Sequence, residues 1–148
     1  MTIFRTLAFG FYCAIIPATG FGAGASSPPA TTGIATYYTV KSCQREGTSG
    51  ILTASGQKYD KTAFTCALPE RPPKGKNGKR AWGRTVRITN LQTKRQIICR
   101  QTDFGPGRKA RSRGVIVDLT PVAFEALGGA LNQGRLKVKV EVLQYQGG

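Results

Sequence analysis

The side chains able to move a proton or attack an electrophile are few, and most common catalytic sets are missing. The 148-residue sequence has no histidine, and seven acidic residues stand against 22 Lys+Arg, for a formal net charge of +15. Without histidine, Ser-His-Asp and Cys-His catalysis, the common zinc sites and a histidine general base are all excluded. Chemistry has to run on carboxylates, hydroxyls, thiols or basic groups. Asp103 ends a strand-like stretch and stands just ahead of Gly105-Pro106. A carboxylate there can serve as a general acid/base, or it can accept backbone N–H bonds and fix the turn. Positive charge favours the ionised form of any carboxyl group, so a general acid in this chain needs an apolar wall, such as Phe104, or a second carboxylate nearby. Asp118 stands at a strand–helix junction and reads as structural.

Nine of the basic residues fall in two loops: Arg71, Lys74, Lys76, Lys79 and Arg80 in one, Arg108, Lys109, Arg111 and Arg113 in the other. Such clusters either keep a small exported protein soluble or draw it to an anionic polymer or lipid surface. Charge alone would also suit nucleic acid. No signature of a DNA- or RNA-reading module accompanies it, so no nucleic-acid partner is expected.

The elements that must position these groups are mostly strands. At 40% hydrophobic and 20% charged residues the composition is that of a globular chain, and 148 residues hold one domain. The stretch 33–40 (GIATYYTV) is β-branched and aromatic; 85–89 (TVRIT) alternates and, with 96–102 (QIICRQT), reads as a hairpin. Residues 115–118 form a short apolar strand, and 136–143 (LKVKVEVL) predict Val138, Val140 and Val142 inward with Lys137, Lys139 and Glu141 outward. Thr120 as N-cap, Pro121 at the first helical position and Gly128 as a stop predict one short helix over about 120–127. Residues 41–58 read as loop with a short strand near Ile51 and Leu52, and 70–82 as a surface loop. About six strands and one helix indicate a small all-β barrel.

Ahead of this lies a leader. In residues 1–25, Arg5 precedes an apolar run from Leu7 to Ile16, and Ala23-Gly24-Ala25 fits a small-x-small cleavage site. The run is shorter than the roughly 20 residues a membrane span needs. Gly10-Phe11-Tyr12 before Cys13 is not a lipobox. The expectation is a cleaved signal peptide over 1–25, a linker over 26–32, a domain over 33–145, and export to the periplasm or cell envelope. In an exported chain, Cys43, Cys66 and Cys99 read first as disulfide partners, with three possible pairings. Cys43 and Cys66 lie in turn-rich sequence and Cys99 in a strand pattern, so the expected bridge is Cys43–Cys66.

In order along the chain come Gly33-x-Ala35-Thr36-Tyr37-Tyr38, then Thr53-Ala54-Ser55-Gly56-Gln57-x-Tyr59-Asp60, then Thr65-Cys66-Ala67 with Leu68-Pro69. Gly83-x-x-Val86-Arg87-Ile88-Thr89-Asn90-Leu91, Asp103-Phe104-Gly105-Pro106 and Val117-Asp118-Leu119-Thr120 follow. Together they resemble the double-psi β-barrel domain of the rare lipoprotein A family, whose relatives include barrel-type lytic transglycosylases and expansins. The likeness covers about 33–143 and implies an all-β, six-stranded double-psi β-barrel.

It also implies a function: a peptidoglycan lytic transglycosylase cutting glycan strands to a 1,6-anhydro product, without cofactor or metal. Asp103 matches the family's acid/base position and Asp60 is the aligned second carboxylate. Tyr37, Tyr38, Gln57, Phe104 and Arg100 are the candidates for substrate contact. The chain departs from the pattern in four places. Gln57 replaces a glutamate and cannot exchange protons, the family's histidine is missing, Phe104 replaces an arginine, and 70–82 is an insertion. Two further readings stand beside the enzyme: a non-catalytic module that binds cell-wall glycan, and a hydrolase using two aspartates. A monomer is expected, with the two basic loops facing an anionic envelope surface.

Overall fold

The computed structural model describes residues 28–45, 47 and 50–143. The leader expected over 1–25, including Cys13, lies outside these residues. Six strands, β1 (Ala30–Tyr37), β2 (Thr65–Leu68), β3 (Thr85–Asn90), β4 (Gln96–Phe104), β5 (Val115–Leu119) and β6 (Leu136–Val142), close into a barrel in the order β1-β5-β2-β4-β3-β6. β1 with β5 and β2 with β4 run parallel, and the other four pairings are antiparallel. β1 begins at Ala30, inside the stretch read as linker, because Ala30, Thr31 and Thr32 pair with Glu141, Val140 and Lys139 of β6.

Alternation made the strands legible, and it is what fills the barrel. Val86 and Ile88 of β3, Val117 and Leu119 of β5, and Val138 of β6 are fully buried in one core with Ala35, Leu68 and Cys99. Glu141 breaks the expected pattern. It is buried between strands, where its carboxylate meets Lys139 Nζ at 3.2 Å and Arg87 at 3.9 Å. The pairing of Arg87 with Glu141 across β3 and β6 puts opposite charges in one row.

Helix α1 (Val40–Arg45) falls where a loop was read. The Thr39 hydroxyl accepts from the Ser42 N–H at 3.1 Å and the Ser42 hydroxyl accepts from the Thr39 N–H at 2.8 Å. This reciprocal cap starts the helix without apolar periodicity. Helix α2 (Arg108–Arg111) is a single turn within the second basic loop. Helix α3 (Pro121–Ala126) stands as predicted, stopped by Gly128 at φ +87°. Thr120 occupies the N-cap position, but its hydroxyl donates instead to the Ala63 carbonyl at 2.6 Å.

The expected Cys43–Cys66 bridge is not formed. Cys66 lies on β2 inside the barrel, fully buried, and the thiol that acts on it there is that of Cys99. β2 is one stave of the closed barrel, held between β5 and β4, and its Cys66 side chain joins the core cluster.

Candidate functional site

A groove of about 730 Å³ opens on the barrel. Its walls come from the end of β1 (Thr36, Tyr37, Tyr38), from α1 (Ser42, Cys43), from Leu52–Ala54 and Tyr59, and from Arg71 and α2. Ala67 and the run from Asp103 to Gly107 also line it, with Asp118 of β5.

Asp103 is half-buried at the end of β4. The parallel register of β2 with β4 slips between Cys66 and Ala67: Cys66 faces Gln101, and Ala67 faces Asp103. Thr102 is the extra residue, so Gln101 and Thr102 are both buried and Asp103 is re-aimed into the groove. Its Oδ1 accepts from the Ala54 N–H at 3.2 Å and the Phe104 N–H at 2.8 Å. No hydrogen bond from a described residue reaches Oδ2. The segment that supplies Ala54 is itself fixed, since Ser55 N–H donates to the Thr102 carbonyl and Thr53 N–H to that of Gln57.

The second carboxylate in the groove is Asp118, a correction to its structural role expected from the sequence. It accepts a hydrogen bond from the Thr36 hydroxyl, its register partner on β1. A Cβ built on Gly105 would lie 3.0 Å from Asp118 Oδ2, so glycine is what lets the chain after Asp103 pass under this carboxylate. Asp60 does not line the groove. It is fully exposed, and its carboxylate accepts from the Thr62 hydroxyl and N–H at 2.6 and 2.8 Å, which holds its pKa below the ordinary value.

Tyr37 and Tyr38 both line the groove, Tyr37 packing against the core. The Tyr37 hydroxyl donates to the Leu131 carbonyl at 3.1 Å and its ring packs on Phe124 at 5.4 Å. Tyr38 packs on Tyr59 at 5.3 Å, and the Tyr59 hydroxyl donates to the Tyr38 carbonyl at 2.9 Å. Burial, and then the Asp103 carboxylate, raise the Tyr38 pKa; the hydroxyls of Thr65 and Thr102 lie beside it. Neither Tyr38 Oη nor Thr102 Oγ1 finds a hydrogen bond of good geometry.

Gln57 is exposed and outside the groove lining, and its carbonyl closes the 53–57 turn. Arg100 is also exposed and outside the lining: it points off the barrel beside Gly83. Phe104 lines the groove and remains exposed, with the Trp82 ring at 4.8 Å and the Arg71 guanidinium at 5.1 Å beside it. The groove residues that the sequence reading missed are Asp118, Thr36 and Tyr59. The alternation of β5, with Val115, Val117 and Leu119 buried, was the available signal that Asp118 faces the other way. Among the described residues, no cluster of three His, Cys, Asp or Glu side chains could hold a metal ion.

No family model matches the chain. Over 111 residues, 75% of its length, it is 32% identical to a probable endolytic peptidoglycan transglycosylase RlpA of Nostoc sp.. Over 115 residues, 78% of its length, it is 33% identical to the endolytic peptidoglycan transglycosylase RlpA of Pasteurella multocida. Among solved structures, the Streptomyces papain inhibitor superposes on 80% of this chain and 98% of its own, at a TM-score of 0.56 and 21% identity. The chain is thus similar in sequence to RlpA proteins over its barrel, and the barrel has the fold of double-psi neighbours. An expansin of Clavibacter michiganensis shares the fold over 81% of this chain and 53% of its own, at a TM-score of 0.53 and 19% identity. The RlpA-like barrel spans 25% of the Nostoc protein and 32% of the Pasteurella protein.

Proposed function

We propose that this RlpA-like barrel is a lytic transglycosylase acting on the glycan strands of peptidoglycan, with Asp103 as its general acid/base. The observation that carries the reading is the division of labour on one carboxylate. Asp103 Oδ1 is fixed by two backbone N–H groups, Oδ2 takes no hydrogen bond from a described residue, and the residue lines the groove. A group so held is oriented without being used up. The names of the RlpA relatives supply the substrate class.

In the reaction, protonated Asp103 gives its proton to the glycosidic oxygen as the bond to the anomeric carbon breaks. The resulting carboxylate then takes the proton of the same sugar's 6-hydroxyl, whose oxygen bonds to that carbon. A 1,6-anhydro ring forms, Asp103 is protonated again, and no water is consumed. One carboxyl group therefore completes the cycle, and neither histidine nor the missing glutamate is needed. Asp118, in the same groove, is placed to stabilise positive charge developing on the sugar. Export to the periplasm or cell envelope, with the basic loops facing an anionic surface, belongs to the same reading.

A second reading, a glycan-binding module without catalysis, is favoured by the same Oδ1 contacts taken as turn-fixing bonds alone. Mass spectrometry of purified sacculi and of peptide-free glycan, after incubation with the protein, separates the two. Anhydro-ended fragments from the wild type, none from Asp103→Asn and at least roughly tenfold fewer from Asp118→Asn are expected. Reducing-end fragments would instead mean a hydrolase. Intact glycan that retains the protein would leave only the binding module.

A further inference from the structure

The insertion over 70–82 is built onto the barrel. At its start, the Glu70 carbonyl accepts from buried Gln101 Nε2 at 2.9 Å and from Arg84 at 3.0 Å. At its end, the Trp82 ring rests on Phe104 at 4.8 Å. Between them the segment folds back on itself, with Lys74 and Arg80 bridged and the Ala81 N–H donating to the Pro73 carbonyl at 2.8 Å. Anchoring of this kind gives a charged side chain a defined place.

The side chain so placed is Arg71. Its guanidinium lies over the Phe104 ring at 5.1 Å, with that of Arg80 at 6.0 Å, and Arg71 lines the groove. Cation–π contact fixes the plane of a guanidinium and leaves its N–H fork for a ligand. Arg111, from α2, lines the groove as well. The ion pairs among the described residues are those of Glu141 with Arg87 and Lys139, so no carboxylate of a described residue pairs with either groove arginine. Phe104, in contact with both Arg71 and Trp82, supports the cation at the groove.

We propose that Arg71 and Arg111 form a carboxylate-recognition subsite in the groove, so that the protein selects glycan strands carrying pendant carboxylates over neutral strands. The proposal rests on reading the groove as a glycan site. Guanidinium forks match a carboxylate through paired N–H bonds. Asp103 and Asp118 repel an anion from their own part of the groove, which orients a strand along it. The carboxylate has two sources in cell-wall glycan: the lactyl group of a peptide-free muramoyl sugar, or an attached peptide.

Calorimetric titration of the full chain with three oligosaccharides of matched length tests this: a neutral chitin oligomer, a peptide-free muramoyl strand and a peptide-bearing strand. One or both carboxylate strands should bind roughly tenfold tighter than the neutral one, a preference that salt weakens. The tighter of the two identifies the source. Arg71→Gln and Arg111→Gln should bring the ratio toward one. Arg71→Lys, which keeps charge but loses the fork, should lower it too, as should Trp82→Ala, which removes support without changing charge. Lys137→Gln, an exposed charge on β6 away from the groove, should keep the ratio. Equal affinity for all three strands overturns the proposal, as does an equal loss from Lys137→Gln and Arg71→Gln. Failure to bind any strand overturns it together with the glycan reading. Selective binding without cleavage overturns only the enzyme.

Discussion

Asp103 and Asp118 stand in register with one residue, Ala67. β2 is the strand between them: Ala67 pairs with Asp103 on its parallel side and with Asp118 on its antiparallel side. Paired residues on adjacent strands send their side chains to the same face of a sheet. Two strand spacings then put the aspartate Cα atoms about 10 Å apart, with a methyl group as the floor between them. Ala67 is nearly fully buried, and a Cβ on Gly105 would come within 3.3 Å of its own Cβ.

Ala67→Leu should therefore act on the site more than on the fold. The added carbons enter the floor between two carboxylates, where overpacking costs about 1–3 kcal/mol. Glycan affinity should fall at least about tenfold while the far-ultraviolet circular dichroism spectrum keeps its barrel signature. Unchanged affinity would mean that ligand does not reach this floor.

Asn90 should be among the most sensitive polar positions for stability. Its buried side chain donates to the Leu127 carbonyl at 2.9 Å and accepts from the Gln92 and Thr93 N–H groups at 2.9 and 3.2 Å. It thereby sets the β3–β4 turn and ties α3 to it. Asn90→Ala leaves the Leu127 carbonyl with less hydrogen bonding and should cost about 2–4 kcal/mol, read as a lower denaturation midpoint with unchanged slope.

The core thiols should make the protein sensitive to alkali. Burial pushes the Cys99 thiol up to about 12 from 9.0, and pushes Cys66 well above that ordinary value, with Cys99 adding to the effect. The unfolded chain ionises these thiols first, so their contribution to stability is fully present below about pH 9 and is lost as pH rises toward the folded values. Denaturation curves from pH 7 to 11 should be level at first and then fall, by up to about 1.4 kcal/mol per unit for each thiol. Cys99→Val should flatten the fall.

Thiol labelling checks the absent bridge directly. Without reductant, Cys66 and Cys99 should resist a disulfide reagent in the native protein and both react once it is denatured. A protein in which Cys66 fails to react after denaturation would restore the Cys43–Cys66 expectation.

Much of the barrel was legible because its signals are local. Alternation in 85–89 and 136–143 follows from the pleat of the backbone, whichever strands lie alongside. Pro121 and Gly128 mark α3 because proline and glycine restrict or free the backbone on their own. The reciprocal cap of Thr39 and Ser42 was equally local, but six residues with none buried gave no periodicity to find.

The sequence alone determined that any acid–base chemistry falls to carboxylates, that the chain is a small β-barrel, and that Asp103 ends a strand ahead of a Gly-Pro turn. Only the tertiary structure decided which carboxylate joins it. The resemblance points to Asp60 and the local sequence reads Asp118 as structural, yet strand order puts Asp118 beside the groove, while Asp60 stays outside it with Oδ1 accepting from Thr62. The aim of Asp103 depends on the extra residue Thr102, the place of Cys66 on closure around β2, and the hold on Arg71 on Trp82 meeting Phe104. Each is a contact between segments far apart in the chain, fixed by register and barrel closure, and residue spacing along a strand carries no record of either.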